Sequence, residues 1–241
     1  MIRLFAEEDL SEVRSYELDK ESLHYLKDVM RVKPDEEFIV TDSKSVDNIC
    51  TLEGAQALIH DRRPNRTEPS LRVTLFQSVS KGERMDLTIQ KAVELGVSRV
   101  VPVFSSRCVV APKENRKADR WQKIALEAAR QSGRGKVPEI AAPESFATAV
   151  VYAKDNFKLV LFPWEGALGD GSSLKSCLAR VREEGISDIA VFIGPEGGYS
   201  EEEASLAKES GASVVTLGPR ILRTETAGPA VLAMVLYELE L

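Results

Sequence analysis

Two short segments near the end of the chain carry the residue types best suited to holding a ligand and acting on it. The first reads Gly194-Pro195-Glu196-Gly197-Gly198-Tyr199. The second reads Gly218-Pro219-Arg220-Ile221-Leu222-Arg223-Thr224-Glu225-Thr226-Ala227-Gly228-Pro229. Glycine opens backbone angles closed to other residues and lets a ligand approach bare main chain. Arg223 and Glu225 stand just before an apolar helical stretch, where a plain turn needs neither charge. An arginine there can stabilise developing negative charge, and a glutamate can orient a reacting group or accept its proton. The alternative is that the two pair with each other or cap the helix that follows. Spacing alone leaves a small-molecule site and two ordinary Gly-Pro connections equally open.

The elements that position these segments are well marked. Ile189-Ala-Val-Phe-Ile193 is an unbroken β-branched and aromatic run, the pattern of a strand buried on both faces of a parallel sheet. After its loop, Ser200 and Glu203 have capping-box spacing, Glu201 and Glu202 suit a helix N-terminus, and Gly211 is a stop. A strand over 213–217 and a closing helix from about 226 to 240 frame the second segment. The two strands are expected to be neighbours, delivering both loops to the sheet edge where open α/β sheets bind ligands. Upstream, strands are expected at 71–79, 99–104 and 157–162 and helices at 85–95, 117–131 and 174–184. That alternation predicts an α/β domain with a parallel sheet. An ordinary dinucleotide fold needs a glycine-rich turn after its first strand, and Ser80-Lys81-Gly82-Glu83-Arg84 supplies one glycine.

The first seventy residues read as a separate unit. Short β-prone runs at 3–5, 37–41, 48–52 and 56–60 suggest a small barrel, interrupted by a helix over 21–30. Residues 62–69, with two prolines and no apolar side chain, are the expected linker. Cys50, Cys108 and Cys177 are widely separated, and His24 and His60 have no ligand-spaced neighbour, so no metal is expected. No stretch has the length of a membrane span and the N-terminus lacks the regions of a signal peptide, which points to the cytoplasm. The formal net charge is −6, yet between Arg72 and Lys136 there are 14 Lys and Arg against 6 Asp and Glu. That surplus of +8 leaves −14 on the rest of the chain. A local basic face on an acidic body suits a phosphate partner touched on one side, or is a solvated arginine-rich helix face.

GPEGG followed by LGPRILRTETA resembles the signature of the RsmE family, bacterial 16S ribosomal RNA uridine-N(3) methyltransferases of the trefoil-knotted SPOUT superfamily. The resemblance implies a SPOUT domain with a deep trefoil knot over 70–241, preceded by a PUA-like, RNA-holding β-barrel over 1–69. It implies S-adenosylmethionine held by main chain of the knot loops: Phe162 and Pro163, then Gly194, Pro195, Glu196, Gly197 and Gly198, then Leu217, Gly218, Arg220, Ile221 and Leu222, with Thr226 and Ala227 behind them. Arg223 and Glu225 become the catalytic candidates. The partner would be 16S rRNA in the small ribosomal subunit. Its contacts would come from Arg3, His24 and Arg31, from Lys81, Arg84, Lys91 and Arg107, and from Gln131, Ser132 and Arg134. Tyr25 and Pro34-Asp35 depart from the family's usual His and Gly-Asp, which leaves His24 between an RNA contact and a plain helix-surface residue. Glu94 has an alternative as the partner of Lys91, and Trp121 as a core or dimer residue in place of a base-stacking one. A homodimer through the knot is implied, with Val231, Leu232, Val235 and Leu236 serving either that contact or the core. A knotted enzyme for another base or ribose, and a non-enzymatic assembly factor, are the competing readings.

Overall fold

Alternating side chains over Val46–Glu53 (β4) and Gln56–Pro64 (β5) pair antiparallel, and Gly54 at φ +65° turns the two-residue hairpin loop between them. The computed structural model describes residues 1–109, 116–167 and 172–240. Phe38–Thr41 (β3) adds antiparallel to β4, Arg3–Phe5 (β1) parallel to β3, and Ser15–Glu17 (β2) antiparallel to β5. The pairings follow an open path, β1-β3-β4-β5-β2, a half-barrel. Leu4, Leu18, Leu26, Phe38, Val40, Cys50 and Ala57 fill its inner face. A helical stretch begins at Lys20–His24 (α1), where the Asp19 carboxylate accepts from the Ser22 amide at 2.7 Å, and continues as a π-helical turn over Tyr25–Val29.

The chain divides into two compact units, Met1–Glu68 with Ala129–Val137, and Pro69–Ala128 with Pro138–Leu241. Two expectations change in the first. Residues 62–64 are not linker but the end of β5, opposite Asn48, Asp47 and Val46; proline is tolerated there because it closes the strand. The return of 129–137 is invisible to local sequence because long-range side-chain bonds make it. Arg134 reaches the Glu68 carboxylate at 2.5 Å, and Asn65 and Thr67 both donate to the Gly133 carbonyl at 3.2 Å.

In the second unit every strand pair is parallel. The strands are Arg72–Ser78 (β6), Arg99–Phe104 (β7), Glu139–Ile140 (β8), Glu144–Ser145 (β9), Leu159–Pro163 (β10), Ser172–Ser173 (β11), Asp188–Ile193 (β12) and Ser213–Thr216 (β13). Their order is β11-β13-β10-β12-β6-β7-β8, with β9 also on β7. The helices are Glu83–Glu94 (α2), Arg116–Ser132 (α3), Phe146–Asn156 (α4), Leu174–Glu184 (α5), Glu201–Glu209 (α6) and Thr224–Glu240 (α7). Phe76 stacks on Phe192 at 4.5 Å and 3°, and Phe162 on Tyr199 at 4.5 Å, with Phe146 edge-on to both Phe162 and Phe192. Each such pair adds about 0.5–1.5 kcal/mol beyond its area burial, so this cluster fixes where β10 and β12 end.

The two loop-bearing strands are not neighbours. β10 lies between β12 and β13 and pairs with both. Three strand exits therefore converge, and the middle one carries Pro163 and Trp164.

Candidate active site

A cavity of about 590 Å³ opens at these three strand exits, within the size range of small-molecule sites. Its wall comprises Pro163, Trp164 and Glu165 from the end of β10 onward, Ile193 to Tyr199 from the end of β12, Thr216 to Leu222 from the end of β13, the first residues of α7, and Arg84 from α2. Of the residues implied for cofactor binding, Phe162 and Thr226 stand apart. Phe162 is fully buried in the aromatic core, and Thr226 lies outside the wall. The others line it, as do Arg223 and Glu225.

The glycine loop is held from several sides. The Gly198 amide donates to the Pro195 carbonyl at 2.9 Å, and Gly198 itself sits at φ +67°. A Cβ on Gly198 would fall 2.3 Å from a Glu165 carboxylate oxygen, and one on Gly197 would press Arg107 Cβ at 3.3 Å. The Glu196 carboxylate accepts from the Lys81 amide at 3.0 Å and from Arg84 at 2.9 Å. Burial pushes this carboxyl up, but the Lys81 amide and the Arg84 guanidinium outweigh it and hold Glu196 below the usual carboxylate range. Arg107 donates to the Gly197 carbonyl at 2.9 Å. Below the loop, Ser200 and Glu203 form the expected capping box, and Glu203 also accepts from the Ser106 amide at 2.7 Å and the Ser106 hydroxyl at 3.0 Å.

The second loop presents unused main chain. The amides of Arg220, Ile221 and Leu222 have no hydrogen-bond partner among the described residues, and Ile221 is 84% exposed. Gly218 holds φ +106°, with its amide on the Thr216 hydroxyl at 3.2 Å. α7 then starts at Thr224, earlier than expected, and the Arg223 carbonyl accepts from the Thr226 and Ala227 amides at 2.9 and 2.8 Å. Arg84 Nε lies 3.8 Å from Glu225 Oε1, so one guanidinium faces carboxylates from both loops. Arg223 and Glu225 are not paired with each other among the described ion pairs.

The expected RNA contacts separate into three groups. Arg3 is buried against Asp47 and Thr41, with one bond to Asp47 at 2.9 Å, and Arg134 is buried against Glu68. Both are structural, because their guanidiniums are enclosed by the acidic partners that local sequence does not bring near. Arg84 and Arg107 grip the glycine loop, and Lys91 bonds Glu94 at 2.8 Å, the alternative kept open above. His24 and Arg31 are exposed, His24 bonding Asp28 at 2.6 Å, and Lys81 and Gln131 also face solvent, with Ser132 half-buried. Trp121 is buried and serves the core. Val231, Leu232 and Val235 are fully buried within this chain, and the large exposed apolar residues of α7 are Met234 and Tyr237. Sequence reasoning missed Trp164, Glu165, Thr224 and Gln77. The signal for the first two was their place directly after a buried strand; for Gln77, it was an amide in an otherwise apolar run.

A parallel α/β sheet with a ligand cavity built from knuckled strand exits defines the class to which the comparisons point. The model of a family described as RNA methyltransferase domain matches residues 67–236. A Bacillus subtilis protein named ribosomal RNA small subunit methyltransferase E is 31% identical, the match covering 100% of this chain and 98% of that protein. A crystal structure of the ribosomal RNA small subunit methyltransferase E from Neisseria gonorrhoeae bound to S-adenosyl methionine superimposes with TM-score 0.85 at 35% identity, covering 98% of this chain and 97% of the other. A putative methyltransferase from Legionella pneumophila in complex with its cofactor SAM does so with TM-score 0.84 at 28% identity, covering 98% and 97%. The chain belongs to the ribosomal RNA small subunit methyltransferase E family.

Proposed function

We propose that the protein transfers the methyl group of S-adenosylmethionine to N(3) of a uridine in the 16S rRNA of the small ribosomal subunit. The observation that carries this is the placement of Arg223 and Glu225 on the wall of the three-loop cavity, beside unpartnered main-chain amides, in a chain of this family. The cavity fits the cofactor. Free amides at 220–222 suit an adenine or carboxylate edge, Leu217, Ile221 and Leu222 offer apolar walls, and the carboxylates of Glu165 and Glu225 suit a cationic group. Relatives with S-adenosylmethionine bound support the same assignment.

The cofactor supplies an electrophilic methyl; the chain must make the acceptor a nucleophile. Uracil N(3) carries a proton between two carbonyls, so that proton must leave as the new bond forms. Arg223 stabilises negative charge spreading onto the carbonyl oxygens, and Glu225 orients the base or takes the proton. Arg84, 3.8 Å away, orients Glu225. The uridine must be unstacked to reach the cavity.

Residues 70–241 are proposed as a SPOUT domain whose trefoil knot gathers the three strand exits, and 1–69 as a PUA-like RNA-holding barrel. His24, Arg31, Lys81, Gln131 and Ser132 are the candidates for RNA contact, and a homodimer through the knot is proposed, with Met234 and Tyr237 as its exposed apolar groups. Among the described residues no helix is long and apolar enough to cross a membrane; the cytoplasm is the proposed location. The test is transfer of labelled methyl to undermethylated small subunits, beside calorimetric binding of S-adenosylmethionine. Binding together with transfer that Arg223→Ala abolishes supports the reading; absence of cofactor binding overturns it.

A further inference from the structure

We propose that Gln77 and Thr224 form a buried relay that sets the distance between the glycine loop after β12 and the start of α7, making both positioning residues for the methyl transfer. The inference rests on the function proposed above. Gln77 lies at the end of β6 with no exposed surface, and Thr224 is 4% exposed. The Gln77 amide group donates to the Ser78 carbonyl at 3.1 Å and to the Thr224 hydroxyl at 2.9 Å. The Thr224 hydroxyl, having accepted from Gln77, donates to the Gly194 carbonyl at 2.6 Å.

The direction of the relay is fixed. The Ser78 carbonyl can only accept, so the NH₂ end of Gln77 must face it, and the same NH₂ group supplies Thr224. The single hydroxyl proton of Thr224 is then committed to Gly194. The relay ties the β6–β12 pair, in which Gln77 lies opposite Ile193, to the chain that leaves β13, a strand the sheet separates from β12 by β10. Arg223 and Glu225 flank Thr224 in sequence, so whatever fixes Thr224 against Gly194 fixes them against the glycine loop.

Two features mark the relay as specifying position and not merely adding stability. Gln77 Oε1 is buried with no hydrogen-bond partner, which an apolar side chain of the same shape would avoid. Gly228 in α7 leaves room for that oxygen: a Cβ there would sit 3.2 Å from it. The helix keeps a glycine in its second turn, unfavourable for helix formation, in order to lie against Gln77.

The test compares the full-length protein with Thr224→Val, which keeps shape and removes the hydroxyl, with Thr224→Ser, which restores it, and with Gln77→Leu. Three readouts are taken: amide hydrogen exchange of 194–199 and 217–227 without ligand, the dissociation constant of S-adenosylmethionine, and kcat at saturating cofactor. A displacement of about 1 Å at reacting groups costs on the order of 10- to 100-fold in rate, so Thr224→Val and Gln77→Leu should lose roughly that in kcat. Exchange should accelerate in both loops while the melting transition stays cooperative, and Thr224→Ser should recover most of the loss. Wild-type kcat and exchange in Thr224→Val would overturn the relay, as would a loss that Thr224→Ser does not rescue and that follows the unfolded fraction. A wild type that binds no S-adenosylmethionine would sink the function reading instead, while the exchange data would still decide whether the relay holds the loops.

Discussion

Gly198→Ala perturbs the cavity through a backbone angle alone, and its size can be worked out. Gly198 sits at φ +67°, and its new Cβ would fall on a Glu165 carboxylate oxygen. Glu165 is exposed and can swing away, so the steric part relaxes and the backbone part remains. Holding a non-glycine residue in the left-handed region costs roughly 1–2 kcal/mol. If the loop as seen is the conformation that receives the cofactor, binding must restore it against that cost. The dissociation constant of S-adenosylmethionine should then rise about 5- to 30-fold, since 1.4 kcal/mol is tenfold. Gly185→Ala is the control. Gly185 has φ +61° at the C-cap of α5, with open space around its Cβ position and no place in the cavity. It should carry the same strain, lower the melting temperature by about 2–4 °C per kcal/mol, and leave affinity unchanged. Calorimetry and thermal melting on both variants decide the matter. Unaltered cofactor affinity in Gly198→Ala, or equal weakening in Gly185→Ala, would refute the reasoning.

Arg134→Met removes the ion-pair partner of the half-buried Glu68 carboxylate, which keeps the Gly135 and Lys136 amides, and should destabilise the protein by about 1.5–3 kcal/mol, seen as an earlier denaturant transition with no change in the salt dependence of RNA binding. Trp121→Ala should likewise cost roughly 3–5 kcal/mol in stability through its cavity; selective loss of RNA affinity with normal unfolding would instead restore the base-stacking reading. Glu196 is held below the usual carboxylate range, so it stabilises the fold above that range and the contribution is lost as pH falls through its depressed value. Arg84→Met should therefore move the Glu196 titration, followed by carboxyl carbon NMR, to higher pH. Arg223→Lys keeps the charge but loses the planar fork, and kcat should fall by roughly 10- to 100-fold with cofactor affinity little changed.

The local chemistry of the site was legible in the sequence because it is local. The run from Ile189 to Ile193, the Ser200 and Glu203 capping box and the charged pair at the start of α7 each declare themselves within a few residues. What depends on distant partners was not. Arg3 and Arg134 read as open phosphate contacts because Asp47 and Glu68 lie 44 and 66 residues away in sequence. The insertion of β10 between β12 and β13 is a choice of strand order that no spacing encodes, and with it went Trp164 and Glu165. The first unit claims Ala129–Val137, the end of α3 and the segment beyond it. α3 has one continuous helical pattern, so its change of allegiance leaves no mark on periodicity.

The central claim is the position of the transferred methyl. Small subunits lacking the modification would be incubated with the protein and methyl-labelled S-adenosylmethionine, the RNA digested to nucleosides, and the labelled nucleoside identified by chromatography and mass spectrometry. The account predicts label in N(3)-methyluridine alone, lost with Arg223→Ala; label in a ribose-methylated nucleoside or another base would contradict it.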